Sequence, residues 1–107
     1  MEDERRVAVR IKKALDVVYS SSSPPISGRL DDLSETGMFI ETSHPLEIGA
    51  DVEFTLTLPD NPSKGPVRGT GKVMWSDHAV GVGIQFSEIS EEDRNRIKWY
   101  VAEVFFS

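Results

Sequence analysis

The sequence predicts a mainly β fold: a six-stranded antiparallel β-barrel with a C-terminal α-helix and a flexible N-terminal arm. Three observations carry this. Short stretches alternate apolar and polar residues, most clearly Val52, Phe54, Leu56 and Leu58 against Glu53, Thr55 and Thr57. Mostly hairpin-length joints separate these stretches, and Gly69, Gly71, Gly81 and Gly83 suit the bends that closing a sheet requires. Only the last segment changes to a helical period of about 3.6 residues. A chain of 107 residues holds one domain with one core. It divides into an arginine-rich arm, 1–13, and a barrel domain, 14–107, whose helix covers about 90–105.

The elements follow in order. The arm has no clear periodicity and reads as extended or flexible. From Ala14, "ALDVVYS" puts Leu15, Val17 and Tyr19 on one face. "SSSSPP" is a loop on composition. A second strand covers 26–33 and a third covers 38–42, joined around Glu35–Gly37, where a glycine suits a turn with positive φ. The fourth strand is the one beginning at Val52, and "PDNPSKGP" is a second long loop. In the fifth, Val67, Gly69, Gly71, Val73 and Trp75 share the inward parity. Asp77 and His78 form the hairpin tip, and Val80, Val82, Ile84 and Phe86 point inward on the return, with Gly81 and Gly83 outward. Ser90 is the helix N-cap, Asp93 stands at the capping-box position, and Ile97, Val101, Val104 and Phe105 form the stripe that plugs an open barrel end.

Composition excludes several functions. There are no cysteines, which removes disulfides and thiolate chemistry. No apolar run has the length of a membrane span, and "MEDERRVAVR" lacks a signal-peptide core, so no membrane insertion and a cytoplasmic location are expected. His44 and His78 have neither a nucleophile elbow nor ligand-spaced partners, so no catalytic residue, metal site or cofactor is expected and the chain is not read as an enzyme. The net charge of −6 is unevenly spread: residues 1–13 hold five basic and three acidic side chains, the remainder seven and fifteen. Duplex DNA would meet repulsion over most of this surface, whereas a compact anion meeting the arm would not.

Two segments carry candidate chemistry. In "ERRVAVRIKK", Arg6 and Arg10 are four apart with Arg5 beside them. They are either a solvated basic tail or a recognition element, since guanidinium forks pair with phosphate and with the O6/N7 edge of guanine. In "RLDDLSETGMFIET", strand alternation places Asp32 and Ser34 on one face, three residues before Gly37. Either the pair caps turn amides, or it serves a ligand. In the second case Asp32 accepts from the N1–H and N2–H₂ donors of guanine, Ser34 adds a hydroxyl, and Gly37 turns the chain without blocking the base.

Arg5-Arg6-x-x-x-Arg10, followed by Asp32-x-Ser34-x-x-Gly37 and a six-stranded barrel, resembles the PilZ domain family over nearly the whole chain. "LDDLSETGMFIET" is similar to its second motif, and "GKVMWSDHAVGVGIQF" to its closing hairpin. The resemblance implies a bacterial second-messenger receptor that binds cyclic di-GMP and takes part in signal transduction. By position, Arg6 and Arg10 match the motif arginines, and Asp32, Ser34 and Gly37 match the barrel motif. Arg5 matches the residue that bears on whether one nucleotide or two are held. One departure is Thr36, where many members have a second glycine. The implied partners are cyclic di-GMP and a separate, unidentified output protein, with the chain a monomer or weak dimer and no nucleic-acid polymer bound. Two rivals are a PilZ-like adaptor that ignores the nucleotide, and an OB- or SH3-like barrel binding single strands. The last needs exposed aromatic platforms, whereas Phe54, Trp75 and Phe86 all carry inward parity.

Overall fold

Six strands appear where the alternation lies: β1 (Leu15–Ser20), β2 (Ile26–Leu33), β3 (Gly37–Glu41), β4 (Asp51–Leu56), β5 (Val67–Asp77) and β6 (Gly81–Ile89). They are followed by helix α1 (Glu91–Phe105), and one turn of 3₁₀ helix, Pro62–Lys64, interrupts the β4–β5 connection. The structure is a computed structural model that describes residues 9–22, 24–44, 46–77 and 79–107. The strands form a closed antiparallel barrel in the order β1-β2-β3-β6-β5-β4, and the pairing of Val17 with Leu56 and Tyr19 with Phe54 closes it. Closure leaves no sheet edge open to another strand.

One parity of each strand fills the interior. Val17, Tyr19, Leu30, Ile40, Leu56, Val67, Val73 and Val82 are at most 1% exposed. Phe54 stacks on Phe86 with centroids 5.1 Å apart. Antiparallel order brings the end of β2, the start of β3, the end of β4 and the end of β6 to one mouth of the barrel. Ile97, Tyr100 and Val101 of α1 join the barrel core. Ser90 caps the helix, its Oγ accepting from Asp93 N at 3.1 Å. The Asp93 carboxylate does not complete a capping box; it accepts from Arg68 N and Arg96.

Four expectations of side-chain direction fail, each for a local reason. Trp75 is 45% exposed, because the β5–β6 register shifts between Val73 and Trp75 and the extra residue, Met74, turns the tryptophan outward. Val80 lies in the turn before β6 and is exposed, whereas Gly81 is buried. Phe105 is exposed, and Tyr100 takes the core position instead. Finally, Asp32 and Ser34 do not share a face, for the reason developed below. His78, expected at the hairpin tip, lies outside the described residues.

Candidate functional site

The root of the arm is fixed to the barrel. Ile11 is buried and pairs with Leu33 through two backbone hydrogen bonds, Ile11 N to Leu33 O at 2.9 Å and Leu33 N to Ile11 O at 3.0 Å. An apolar side chain at position 11, between Arg10 and Lys12, gives this segment something to bury. The bridge delivers Arg10 to Asp32, whose Oδ1 accepts from the arginine Nε at 3.0 Å. The two motifs, distant in sequence, therefore meet. The arginine side chain is half exposed, so this ion pair adds no more than about 1 kcal/mol of stability. Its value is positional. Among the described residues, neither Asp32 Oδ2 nor the terminal guanidinium nitrogens of Arg10 have a partner.

Asp32 faces outward because of a bulge. Leu30 pairs with Ile40 and Asp32 with Phe39, so Asp31 is an extra residue on β2. Without it Asp32 would point inward and Leu33 outward; with it Leu33 is fully buried and Asp32 stands at the surface. Ser34 then falls beyond the strand and is 0% exposed. Its Oγ accepts from Thr36 N at 3.2 Å and Gly37 N at 3.3 Å, and its own N–H donates to Gly37 O at 2.9 Å. Ser34 closes the turn from within. Gly37 does not adopt positive φ; it is glycine because a Cβ there would collide with the carbonyl oxygen of Ile84. Thr36 fits the turn, its hydroxyl bonded to Ser34 Oγ at 3.1 Å, while its carbonyl accepts from Phe86 N at 2.9 Å.

Cross-strand register extends the site. Asp32 lies opposite Phe39, Phe39 opposite Gly83, and Gly83 opposite Trp75. These four residues form one row across β2, β3, β6 and β5, about 14 Å long at ordinary strand spacing. Phe39 and Trp75 approach over Gly83 with ring centroids 5.6 Å apart. Beside them is a groove of about 310 Å³ lined by Arg10, Phe39, Met74, Trp75 and Gly83 among others. Of the six expected residues, Arg10 and Gly37 line this groove, Asp32 is joined to it through Arg10, and Ser34 lies behind Gly37. Arg5 and Arg6 lie outside the described residues.

Alternation set Gly83 outward, as observed, but took Trp75 as inward and gave Phe39 no role. A signal for Trp75 was available: Val73-Met74-Trp75 puts three large apolar residues in succession within an alternating strand, as a bulge does. Leu30 and Leu33, both apolar at odd spacing, mark the bulge at Asp31.

These features agree with the family comparison. A model of the PilZ domain matches residues 4–103, and the chain belongs to the PilZ domain family. It is similar in structure to the Bacillus subtilis inhibitor of motility (MotI/DgrA), with TM-score 0.83 and 19% identity over 95% of this chain and 52% of that one. The PilZ domain of CeSA from a cellulose-synthesizing bacterium gives TM-score 0.62 and 17% identity, covering 91% and 94% of the two chains. The Borreliella burgdorferi PlzA protein, solved in complex with c-di-GMP, gives TM-score 0.70 and 17% identity over 94% of this chain and 42% of that one. The chain thus spans about half the length of MotI and less than half of PlzA. No curated protein matches the sequence. No helix among the described residues is long and apolar enough to cross a membrane.

Proposed function

We propose that the chain is a cyclic di-GMP receptor without enzymatic activity, and that the nucleotide sits on the outer row running from Asp32 to Trp75. The observation that carries this reading is the Arg10–Asp32 pair: among the described residues one nitrogen meets one oxygen, and the other atoms of each fork have no further partner. Asp32 Oδ2 then accepts from the N1–H and N2–H₂ of a guanine while Arg10 donates to a phosphate. Trp75 and Phe39 offer the base an aromatic wall, and Gly83 leaves the floor clear. Ser34 acts through the turn rather than on the ligand. Arg6 is tethered to Ile11 by five residues, a reach of at most about 17 Å, enough to close over a ligand held by Arg10. The complex of PlzA with c-di-GMP supports the ligand class for this barrel.

Closing the arm orders chain as it binds, which offsets part of the contact energy. An affinity near micromolar, on the order of −8 kcal/mol, is expected. The surface so created is read by a separate output protein. Titration calorimetry with cyclic di-GMP, and GTP as control, tests this. Selective heat with one or two nucleotides per chain is expected, and Arg6→Ala or Asp32→Ala abolishes it. Undiminished affinity in both variants would remove the site assignment, and no heat in the wild type would leave an adaptor working by protein contact alone.

A further inference from the structure

Helix α1 keeps aromatic surface outside that the barrel does not use. Ile97, Tyr100 and Val101 face the core, so the helical period places Trp99 and Phe106 on the opposite side. Trp99 is 72% exposed and Phe106 78%, the latter edge-on to Phe105 at 5.0 Å. Single exposed apolar residues are ordinary, but an aromatic cluster rimmed by charge marks an interaction surface. Beside Trp99 runs a groove of about 500 Å³ walled by Trp99 and Tyr100 and edged by Asp60, Glu92 and Glu103. Two of these carboxylates are satisfied: Asp60 holds Arg96 at 2.8 Å, and Glu92 holds Lys64 at 3.3 Å. Among the described residues Glu103 has no cation within 4.0 Å. Burial, with Glu103 and Asp60 nearby, raises the pKa of the Tyr100 phenol, which stays neutral and contributes no competing charge.

We infer that this groove docks an arginine or lysine side chain of a protein partner, the cation lying on the Trp99 ring and pairing with the Glu103 carboxylate. Cation–π contact is strongest over tryptophan, and interface hot spots favour a Trp or Tyr wall around a charged anchor. Charge selects the occupant. The chain carries −6, so a second copy or an anionic membrane meets repulsion where a basic polypeptide is attracted. The inference stands apart from the nucleotide reading, because neither Trp99 nor Glu103 lines the groove beside Arg10 and Trp75.

The test is an amide and indole NMR titration of the full chain with a capped tetra-arginine peptide, using capped tetra-glutamate as control. The Trp99 indole and the Glu103 amide should move together and saturably with tetra-arginine only. Trp99→Ala and Glu103→Gln should each weaken the apparent affinity roughly fivefold, and Trp75→Ala should leave it unchanged. Both altered residues are at the surface, so folding is retained, and the amide spectrum itself checks this. No shift at Trp99, or shifts spread over the acidic surface and indifferent to Trp99→Ala, would overturn the assignment. Trp99 signals that move with protein concentration alone would replace it with a second copy, and signals that move only with phosphatidylglycerol vesicles would replace it with a membrane.

Discussion

Gly37 and Ser34 show how two motif positions are fixed by the barrel before any ligand is considered. A Cβ at position 37 meets the β6 backbone, which cannot retreat without breaking the pairing of Gly37 with Gln85 and Met38 with Ile84. Gly37→Ala is therefore expected to destabilise the domain by about 2–3 kcal/mol, measured by urea unfolding. A change below a few tenths would mean that the turn relaxes freely. Ser34→Ala strips two turn amides, one of them buried, of their acceptor and should cost about 1–2 kcal/mol. If Ser34 acts only through the turn, nucleotide affinity in that variant falls no further than the loosened turn explains, and Ser34→Thr, which keeps the hydroxyl, restores part of it. Asp32 differs. It is at the surface and its replacement should spare stability while removing binding.

At the scale of elements, a largely buried ion pair latches the helix. Arg96 is 8% exposed and donates to both Asp60 oxygens, from Nε at 3.0 Å and Nη2 at 2.8 Å, and to Gly65 O at 2.9 Å. The Arg96 guanidinium holds the Asp60 carboxyl below its ordinary 3.8. A depressed folded-state pKa gives stabilisation that is complete above the unfolded value and is lost as pH falls through the folded one. Asp60→Asn should thus be about 2–3 kcal/mol less stable than wild type at neutral pH, with the gap narrowing below about pH 4. A gap that stays constant down to pH 2 would show that the charge of Asp60 does not hold the helix. The same scale explains what the sequence could reveal. Alternation located all six strands and the capping serine, because each depends on neighbours in the chain. Strict alternation passes over the bulges at Asp31 and Met74, since an extra residue is defined by the strand opposite and the apolar runs beside them give only its neighbourhood. Those two bulges turn Asp32 and Trp75 outward, so the polar motif was legible while its aromatic wall was not.

Across the whole molecule, the arm root, the motif turn and the helix gather at one mouth of the barrel. Arg94 of α1 donates to the Glu35 carbonyl within the motif turn at 3.3 Å, which ties the helix to the turn beside Asp32. The turn that lines the groove through Thr36 and Gly37 is thereby in hydrogen-bond contact with α1. If cyclic di-GMP lies on the row ending at Trp75, the indole there must sense it, and tryptophan fluorescence reads that response. In a Trp99→Phe chain, Trp75 is the remaining tryptophan, since the sequence has two. Titration with cyclic di-GMP should change its emission saturably, with the midpoint found by calorimetry, and Asp32→Ala should abolish the change. Calorimetric binding without any response of Trp75 would place the nucleotide elsewhere on the barrel and remove the row from Asp32 to Trp75 as its site.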